Sequence, residues 1–192
     1  MNYGELKTHI KALAFEEEDT ISEYEENDVI PTAINRAISM IGKKIPIMKT
    51  YEFTQDGTDT DYQTYDFSTL TNDFLTFAKH PVRIDDGDKC EPFGNYLEWD
   101  YHTIKVPGSA SGTFIVQYRA KPASYEAGME DVEIPLEPIT HEDLLPLLCA
   151  YFVWIDDDAT KAAQYYNLYL EVLDDVMGVL KKPRVRLLEG GI

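Results

Sequence analysis

Residues 150–175 read AYFVWIDDDATKAAQYYNLYLEVLDD, and this stretch decides how the chain is organised. Three consecutive aspartates, Asp156, Asp157 and Asp158, separate two apolar segments. The segment before them is apolar nearly all round, which predicts a buried helix, and the segment after them has apolar residues at steps of three and four, which predicts an amphipathic helix. Carboxylates at a helix start cap free N–H groups and oppose the positive end of the helix dipole. The triplet therefore predicts a helix-hairpin corner, with a cation site as the alternative.

The start of the buried helix has two possible positions. Thr140 resembles a capping residue, but Pro146 would remove a hydrogen bond from a helix that began there. The helix therefore either kinks at Pro146 or begins nearer Leu144. We expect the two C-terminal helices to pack on two N-terminal ones. Four residues are predicted to lie in this core: Leu148, Phe152, Tyr166 and Leu170.

Two helices are predicted at the N-terminus. Asn2 offers a cap with Glu5 three positions on, as in a capping box. The second helix has Pro31 in its first turn, isoleucines and an alanine along one face, and Gly42 at its end. Between them, the acidic run over residues 16–28 predicts a solvated linker.

Residues 46–122 change to a period of two and are rich in β-branched and aromatic residues, which predicts four or five short antiparallel strands. Within them, residues 68–81 are expected to form a turn and a short helical or irregular crossing rather than a strand. The segment GSASG at residues 108–112 is not a nucleophile elbow, because Ala110 holds the position where that motif needs serine. We expect a hairpin turn there.

These patterns predict an α+β fold: an antiparallel helical bundle of about four helices, an inserted small antiparallel β region and an extended C-terminal arm. The predicted parts of the chain are N-terminal helices at 1–45, the β insertion at 46–122, the C-terminal helical hairpin at 123–182 and the arm at 183–192.

Composition excludes several classes of function. The chain has 35 acidic and 17 basic residues and a formal charge of −18, so its surface repels phosphate backbones and a tight grip on nucleic acid is not expected. The N-terminus has no signal-peptide pattern, and no apolar run approaches the ~20 residues of a membrane span. We expect a soluble protein that is not exported and has no membrane partner. Cys90 and Cys149 fit reduced thiols in the cytosol, and a disulfide between them stays open.

Motifs for catalysis, cofactors or metals do not emerge from the sequence. The histidines are scattered without ligand spacing, at His9, His80, His102 and His141. No nucleotide-binding glycine motif occurs, and the DGTDTD stretch at residues 56–61 lacks the glycine and glutamate positions of a calcium loop. We therefore expect no enzyme, no catalytic, cofactor-binding or metal-binding residues, and a solvated loop at residues 56–61.

The C-terminal segment KKPRVRLLEGGI is a local basic and apolar reversal in an acidic chain. One interpretation is a frayed tail whose lysines suit the end of the last helix. The other is an arm that orders on a neighbour by adding an extended strand or filling a groove. The partner-binding residues predicted by the second interpretation are Lys181, Lys182, Arg184, Val185, Arg186, Leu187 and Leu188.

The order of elements resembles the head-to-tail adaptor, or connector, proteins of tailed bacteriophages. The resemblance covers most of residues 2–180 and rests on YGELKTHI, IPTAINRAI, the strand exit YRAKP, and the apolar helix followed by DDATKAAQYYNLYLEVL. It implies a structural virion protein of the neck, present in the host cytoplasm during assembly. It also implies a homo-oligomeric ring, commonly twelve-fold, that docks beneath the portal protein, lets DNA pass without specific binding and receives a tail or neck protein.

Other classes of function stay open. Another phage neck or tail completion protein would share these patterns. An acidic DNA mimic that inhibits a basic enzyme would explain the charge and would be a monomer or dimer. A calcium-stabilised β module would use six aspartates: Asp56, Asp59, Asp61, Asp85, Asp86 and Asp88.

Overall fold

The computed structural model describes residues 1–15, 21–85, 87 and 89–180 and divides the chain into two compact units. The helical unit contains Met1–Ile41 and the chain from Ser124 onward, so both ends of the chain build it. The β unit, Gly42–Ala123, is inserted between these parts. The four-part division predicted from the sequence stays a prediction, and the arm at 183–192 lies outside the described residues.

The described residues form five α-helices and seven strands. The helices are α1 (Tyr3–Ala14), α2 (Ile30–Lys44), α3 (Phe67–Leu70), α4 (Leu144–Trp154) and α5 (Ala159–Leu180). The strands are β1 (Met48–Asp56), β2 (Tyr62–Asp66), β3 (Phe74–Asp85), β4 (Cys90–Pro92), β5 (Leu97–Glu98), β6 (Thr103–Pro107) and β7 (Ser111–Ala120). A π-helical turn at Glu25–Val29 leads into α2, and a 3-10 turn at Pro138–Thr140 precedes α4. None of these helices is long and apolar enough to cross a membrane.

The predicted fold class was wrong. The protein is a mixed α+β fold with two antiparallel sheets, not a helical bundle with a small β region. One sheet has four strands in the order β1-β7-β3-β4, and the other has three in the order β2-β6-β5. The β unit is thus a two-sheet structure with its own core, where Phe114, Val116 and Ile104 are fully buried.

Strand β3 accounts for much of this error, because its sequence does not keep a strict alternation. Residues 68–81 were predicted to form a turn and a short helical or irregular crossing rather than a strand. The short helix α3 agrees with the helical alternative, but residues 74–81 form the first part of β3. The pairing of β3 with β7 shifts register between Phe77 and Val82, and His80 lies there with a φ of 59°. A bulge of this kind accepts a proline such as Pro81 inside a strand, which local pattern does not reveal.

The N-terminal helices follow most of their sequence signals, although α2 continues past the predicted end at Gly42 to Lys44. The predicted capping box is confirmed: Asn2 Oδ1 accepts a hydrogen bond from the Glu5 backbone N–H at 2.8 Å, and Glu5 Oε2 accepts one from the Asn2 backbone N–H at 2.9 Å. Such a cap stabilises a helix by roughly 1 kcal/mol. The predicted face of α2 is also confirmed, and its buried members are Ile30, Ile34, Ala37, Ile38 and Ile41.

The predicted linker at 16–28 was wrong for its last part. Residues Glu25–Val29 form the π-helical turn that precedes α2. Ser22 and Glu25 bond reciprocally, because each backbone N–H donates to the other side chain, at 2.7 and 3.2 Å. This is a second capping box, and the acidic composition of the run concealed it. Residues 16–20 lie outside the described part of the chain.

Helix α4 begins at Leu144, so Pro146 lies in its first turn, where its missing N–H removes no bond. Leu148 is fully buried, as predicted. The predicted face of α5 was wrong for Leu170, which is 41% exposed, whereas its neighbour Tyr169 is 1% exposed. Phe152 and Tyr166 are only half-buried.

The chain re-enters the helical unit through a polar contact with α2. Asn35 Nδ2 donates to the carbonyl of Tyr125 at 2.9 Å, and the Tyr125 N–H donates to Asn35 Oδ1 at 2.8 Å. The Tyr125 ring stacks on Tyr3 with centroids 5.3 Å apart, and its hydroxyl donates to the Glu133 carbonyl at 2.8 Å. We call Asn35 and Tyr125 the re-entry clasp. Its contacts join α1, α2 and the segment after the β unit, which are distant in sequence.

Phe67 of α3 anchors the two sheets of the β unit. Its side chain is fully buried, and its backbone N–H donates to the His102 carbonyl at 2.9 Å. The rings around it come from the four-stranded sheet and belong to Tyr51, Phe74, Phe77 and Tyr118. Burying one such ring stabilises a fold by roughly 1.5–3 kcal/mol. The short helix α3 therefore places one aromatic side chain between the sheets.

Asp73 connects three neighbouring strands of the larger sheet, β1, β7 and β3. Its carboxylate pairs with Lys49 of β1 and accepts a hydrogen bond from the Tyr118 hydroxyl of β7 at 3.0 Å, beside the start of β3. Burial is the largest single influence and raises its pKa, but the bonds from Lys49 and Tyr118 together with the charge of Lys49 outweigh it, so the pKa of Asp73 lies below its ordinary value. In turn, burial and then the bond to Asp73 raise the pKa of Tyr118 to about 12.

The GSASG segment at residues 108–112 was wrongly predicted to be a hairpin turn. Strands β6 and β7 flank it but belong to different sheets, so the turn carries the chain from one sheet to the other. The Gly108 N–H donates to the Asp61 carbonyl at 2.9 Å. A Cβ at Gly108 would overlap that same carbonyl oxygen, so the crossing requires glycine here.

Candidate functional site

The predicted partner-binding residues Lys181, Lys182, Arg184, Val185, Arg186, Leu187 and Leu188 all lie outside the described part of the chain. Their role stays a prediction. The described residues do contain a groove in the helical unit, next to the point where α5 ends at Leu180. We call it the α4–α5 groove.

The α4–α5 groove has a volume of about 530 Å³ and lies between the 3-10 turn, the start of α4 and the last turns of α5. Its lining residues are Pro138, Ile139, Glu142, Asp143, Val172, Asp175, Val176 and Val179. Both walls therefore combine aliphatic and acidic side chains.

Helical spacing produces this mixture on the α5 wall. Val172, Val176 and Val179 follow each other at steps of four and three, which places them on one face of the helix. Val176 is 6% exposed and forms the floor, whereas Val179 is 51% exposed at the end of the helix. Asp175 lies on the same face. On the opposite wall Ile139 is 41% exposed, so apolar surface faces the groove from both sides.

Three carboxylates at this groove have no partner within the described ranges. Glu142, Asp143 and Asp175 are exposed and take part in no hydrogen bond or ion pair of their side chains there. Carboxylates gathered around one concave surface create a local negative field. The groove is therefore suited to a ligand that is both cationic and apolar.

The groove continues around the first turn of α4. A second depression of about 380 Å³ shares Glu142 and Asp143 with it and is lined on the other side by α1. Its remaining lining residues are His9, Ala12, Leu13, Pro146 and Leu147. Nearby, burial lowers the pKa of His141, so this side chain is neutral at pH 7 and adds no positive charge.

The walls of this surface are held in place by contacts between α1 and the C-terminal hairpin. The Trp154 indole Nε1–H donates to the Ala14 carbonyl at 3.0 Å, and the Tyr165 hydroxyl donates to the Leu13 carbonyl at 2.6 Å. Both acceptors are carbonyls in the last turn of α1, which have no partner inside the helix. The hairpin therefore caps α1.

Ion pairs from the middle and the last turn of α1 also hold this helix in place. Lys7 is 7% exposed, and its Nζ lies 3.6 Å from Glu130 and 4.0 Å from Glu26. The hydrogen bond from Lys11, at 2.6 Å, and the charge of that lysine hold the pKa of Glu26 below its ordinary value. These charges join α1 to the π-helical turn and to the segment after the β unit, so they serve the fold.

The aspartate triplet forms the predicted helix-hairpin corner, which is confirmed. Helix α4 ends at Trp154 and α5 starts at Ala159. Asp158 Oδ1 accepts hydrogen bonds from the N–H groups of Thr160 and Lys161, at 2.9 and 3.0 Å. Within residues 1–15, 21–85, 87 and 89–180, no group of three or more His, Cys, Asp or Glu side chains is arranged to hold a metal ion.

His102 in the β unit has the most concentrated polar contacts, and they anchor it. Its Nδ1 lies 3.0 Å from Asp66, 3.4 Å from Asp100 and 3.0 Å from the Thr103 hydroxyl. A catalytic relay needs one partner at each ring nitrogen, whereas all three groups here meet the same atom. The Ser68 hydrogen bond, and further the charge of His102, hold the pKa of Asp66 below its ordinary value.

The β unit also exposes aromatic side chains that the sequence analysis had assigned to a strand. Trp99 is 65% exposed and Tyr101 is 77% exposed, between β5 and β6. Lys105 Nζ lies 3.5 Å from the centre of the Trp99 ring. In the sequence, Trp99 and Tyr101 belong to the segment YLEWDYH, whose alternation of aromatic and polar residues resembles a strand. In the structure, Trp99 and Tyr101 lie in a turn and face outward.

In the loop at residues 56–61, a carboxylate accepts hydrogen bonds from another residue of the same loop. Asp56 Oδ1 accepts hydrogen bonds from the Thr58 hydroxyl at 2.7 Å and the Thr58 N–H at 3.0 Å, and these bonds lower the pKa of Asp56. Of the six aspartates in the calcium alternative, Asp86 and Asp88 lie outside the described residues.

Comparisons of the chain with protein-family models and with curated proteins find no match.

Proposed function

We propose that this protein is a structural virion protein: a head-to-tail adaptor of a tailed bacteriophage. In this role it forms a ring of about twelve copies in the neck between head and tail. The ring docks beneath the portal protein, extends the DNA channel and offers a platform to the next tail or neck protein. The protein would assemble in the host cytoplasm and need no cofactor.

The observation that carries this proposal is that both ends of the chain build one helical unit, with a β unit inserted between them in the sequence. Two N-terminal helices, a β insertion and a C-terminal helix hairpin occur in the order on which the resemblance to connector proteins rests. The β unit has seven strands where the sequence predicted four or five, and it gives the ring an additional compact module with outward-facing aromatic residues.

Charge supports the same function. A chain with 35 acidic and 17 basic residues does not retain DNA through its phosphates, because binding of that kind depends on clustered lysines and arginines. An acidic channel wall would let DNA slide through during ejection. The α4–α5 groove adds an acidic and apolar surface that suits contacts between proteins.

Particle mass and electron microscopy test this proposal. Light scattering on the purified protein should give a particle of roughly twelve chain masses, and micrographs should show rings with a central channel. Incubation with portal-bearing heads should add these rings at the portal vertex. A protein that is a monomer or dimer and does not bind to such heads would refute the proposal. If this monomer or dimer binds a basic enzyme instead, the DNA-mimic alternative is favoured.

A further inference from the structure

The C-terminal segment and the α4–α5 groove have complementary chemistry. Residues 181–192 contain four basic residues and one acidic residue, together with Val185, Leu187 and Leu188. The groove presents three carboxylates without ion-pair partners among the described residues, above a floor of valines. Opposite charges across a contact favour association and fix its register, and apolar side chains add burial.

We infer that the segment Lys181–Ile192 of one copy binds in the α4–α5 groove of a second copy. The inference deepens the proposed function and rests on it only in requiring that copies associate. It gives each copy one arm and one groove, which is a head-to-tail contact. Contacts of this type close into rings when the rotation between copies allows it.

The alternating pattern of the segment fits an extended peptide in such a groove. Arg184 and Arg186 alternate with Val185 and Leu187, so an extended strand would present a basic side and an apolar side. The apolar side can face Val172 and Val176, and the arginines can reach the carboxylates at the rim. Extended peptides bound in grooves commonly combine backbone contacts with alternating side-chain pockets.

The sequence at the start of the segment indicates that it binds in the groove of a second copy rather than in the groove of its own copy. Val179 already lines the groove, so a segment that begins at Lys181 would have to reverse direction at once to bind in its own copy. Lys182 precedes Pro183, and the residue before a proline is driven to extended conformations. The glycines that permit a tight reversal come only at Gly190 and Gly191. An extended segment of twelve residues reaches at most roughly 40 Å.

Charge reversal in the full-length chain tests the inference. One variant, groove-reversed, carries Glu142→Lys and Asp175→Lys. The other, arm-reversed, carries Arg184→Glu and Arg186→Glu. Each variant alone places like charges at every contact, so light scattering should show loss of the parental oligomer. An equimolar mixture should recover the parental mass, because alternating copies then present opposite charges at every contact. Circular dichroism checks that each variant is folded.

A matched control changes the same charge elsewhere on the helical unit. Asp156→Lys with Asp157→Lys alters two exposed aspartates at the hairpin corner and should leave the particle mass unchanged. If a groove-reversed chain fails to fold, Glu142→Gln with Asp175→Asn replaces it. That milder pair removes two of the charges that attract the arm, so the oligomer should be weaker. It should therefore dissociate at a lower salt concentration than the parental oligomer, because salt screens the attraction that remains.

Three outcomes would overturn the inference. The first is a reversed variant that keeps the parental mass. The second is a mixture that stays dissociated while one chain with all four substitutions behaves like the parent, which would place the arm in its own groove. The third is a monomeric parent. By contrast, a parental dimer that dissociates in each variant and reforms in the mixture supports this inference while refuting the ring-forming adaptor.

Discussion

Removing the side chain of Asn35 should destabilise the helical unit. The two hydrogen bonds of the re-entry clasp satisfy both backbone groups of Tyr125, a residue that is 1% exposed. Asn35→Ala would leave that N–H and that carbonyl without partners where little water reaches them. Each stranded group costs roughly 1–2 kcal/mol, and alanine returns about 0.5 kcal/mol through its higher helix propensity. The net loss in the free energy of unfolding should be about 1.5–3.5 kcal/mol.

The two tryptophans of the chain make the measurement specific, because one lies in each unit. Trp154 packs against α1 in the helical unit, whereas Trp99 lies in the β unit and is 65% exposed. In a Trp99→Phe background, fluorescence during urea unfolding follows Trp154 alone. The midpoint should shift to lower urea with an unchanged slope, since the loss affects stability and not the surface exposed on unfolding.

Arg36→Ala is the matched control, because it changes the next, exposed position of the same helix and should stay within about 0.5 kcal/mol of the background. The reasoning is refuted if Asn35→Ala also stays within that range. Such a result would mean that water replaces the side chain at Tyr125 without cost.

Three further predictions concern α5, its cap and the β unit. Tyr169→Ala should cost roughly 3–5 kcal/mol and Leu170→Ala less than about 1.5, because only the first is buried; urea unfolding that reverses this order would restore the face predicted from sequence. Asp158→Ala should cost about 1 kcal/mol and Asp158→Asn much less, since asparagine also caps helices; equal losses in thermal melts would show that charge matters more than the cap. The pKa of Asp73 is lowered, so its stabilising contribution is present above its ordinary pKa and is lost as pH falls through the lowered value. The difference in urea midpoint between the parent and Asp73→Asn, followed at Trp99, should therefore shrink below roughly pH 4; a difference that stays constant to roughly pH 2 would contradict this account.

Local signals predicted the local features well. The capping box at Asn2, the buried face of α2 and the hairpin corner at Asp158 each depend on residues within one or two turns. The face of α5 could not be found this way, because apolar residues occupy two sides of that helix. Packing against α4 selects the side with Ala162, Tyr169 and Val176 and leaves Leu170 in solvent. That selection depends on tertiary contacts.

The β unit was underestimated for a related reason. A strand with Lys79, His80 and Pro81 in its middle has no alternating pattern, and only its partner β7 reveals the bulge that absorbs them. The turn at residues 108–112 was misjudged because neighbouring strands usually pair, whereas these two join different sheets. Sheet membership depends on pairings between segments that are distant in sequence.

The groove could not be predicted from the sequence because its walls come from two separate segments, residues 138–143 and 172–179. Glu142 and Asp143 follow Thr140 at the predicted helix start, and Asp175 does not stand out in sequence among the charges of an acidic chain. The available signal was an aspartate inside the valine face of α5. A carboxylate among valines at helical spacing is uncommon in a core and indicates a surface that meets a polar or charged partner.

The connectivity of the two units has a consequence for how the protein is made. The N–H of Tyr3 donates to the Val132 carbonyl, and the N–H of Ile134 donates to the Met1 carbonyl, at 2.9 and 3.1 Å. The first helix is therefore held by residues that emerge from the ribosome about 130 positions later, after the whole β unit. The β unit is one continuous segment, so it can fold before the later residues of the chain are made. Bringing the two ends of this long loop together costs conformational entropy, and the contacts of the re-entry clasp offset that cost only after the loop has closed. A β unit that folds first shortens the effective loop, so changes that destabilise the β unit should also slow the closure of the helical unit.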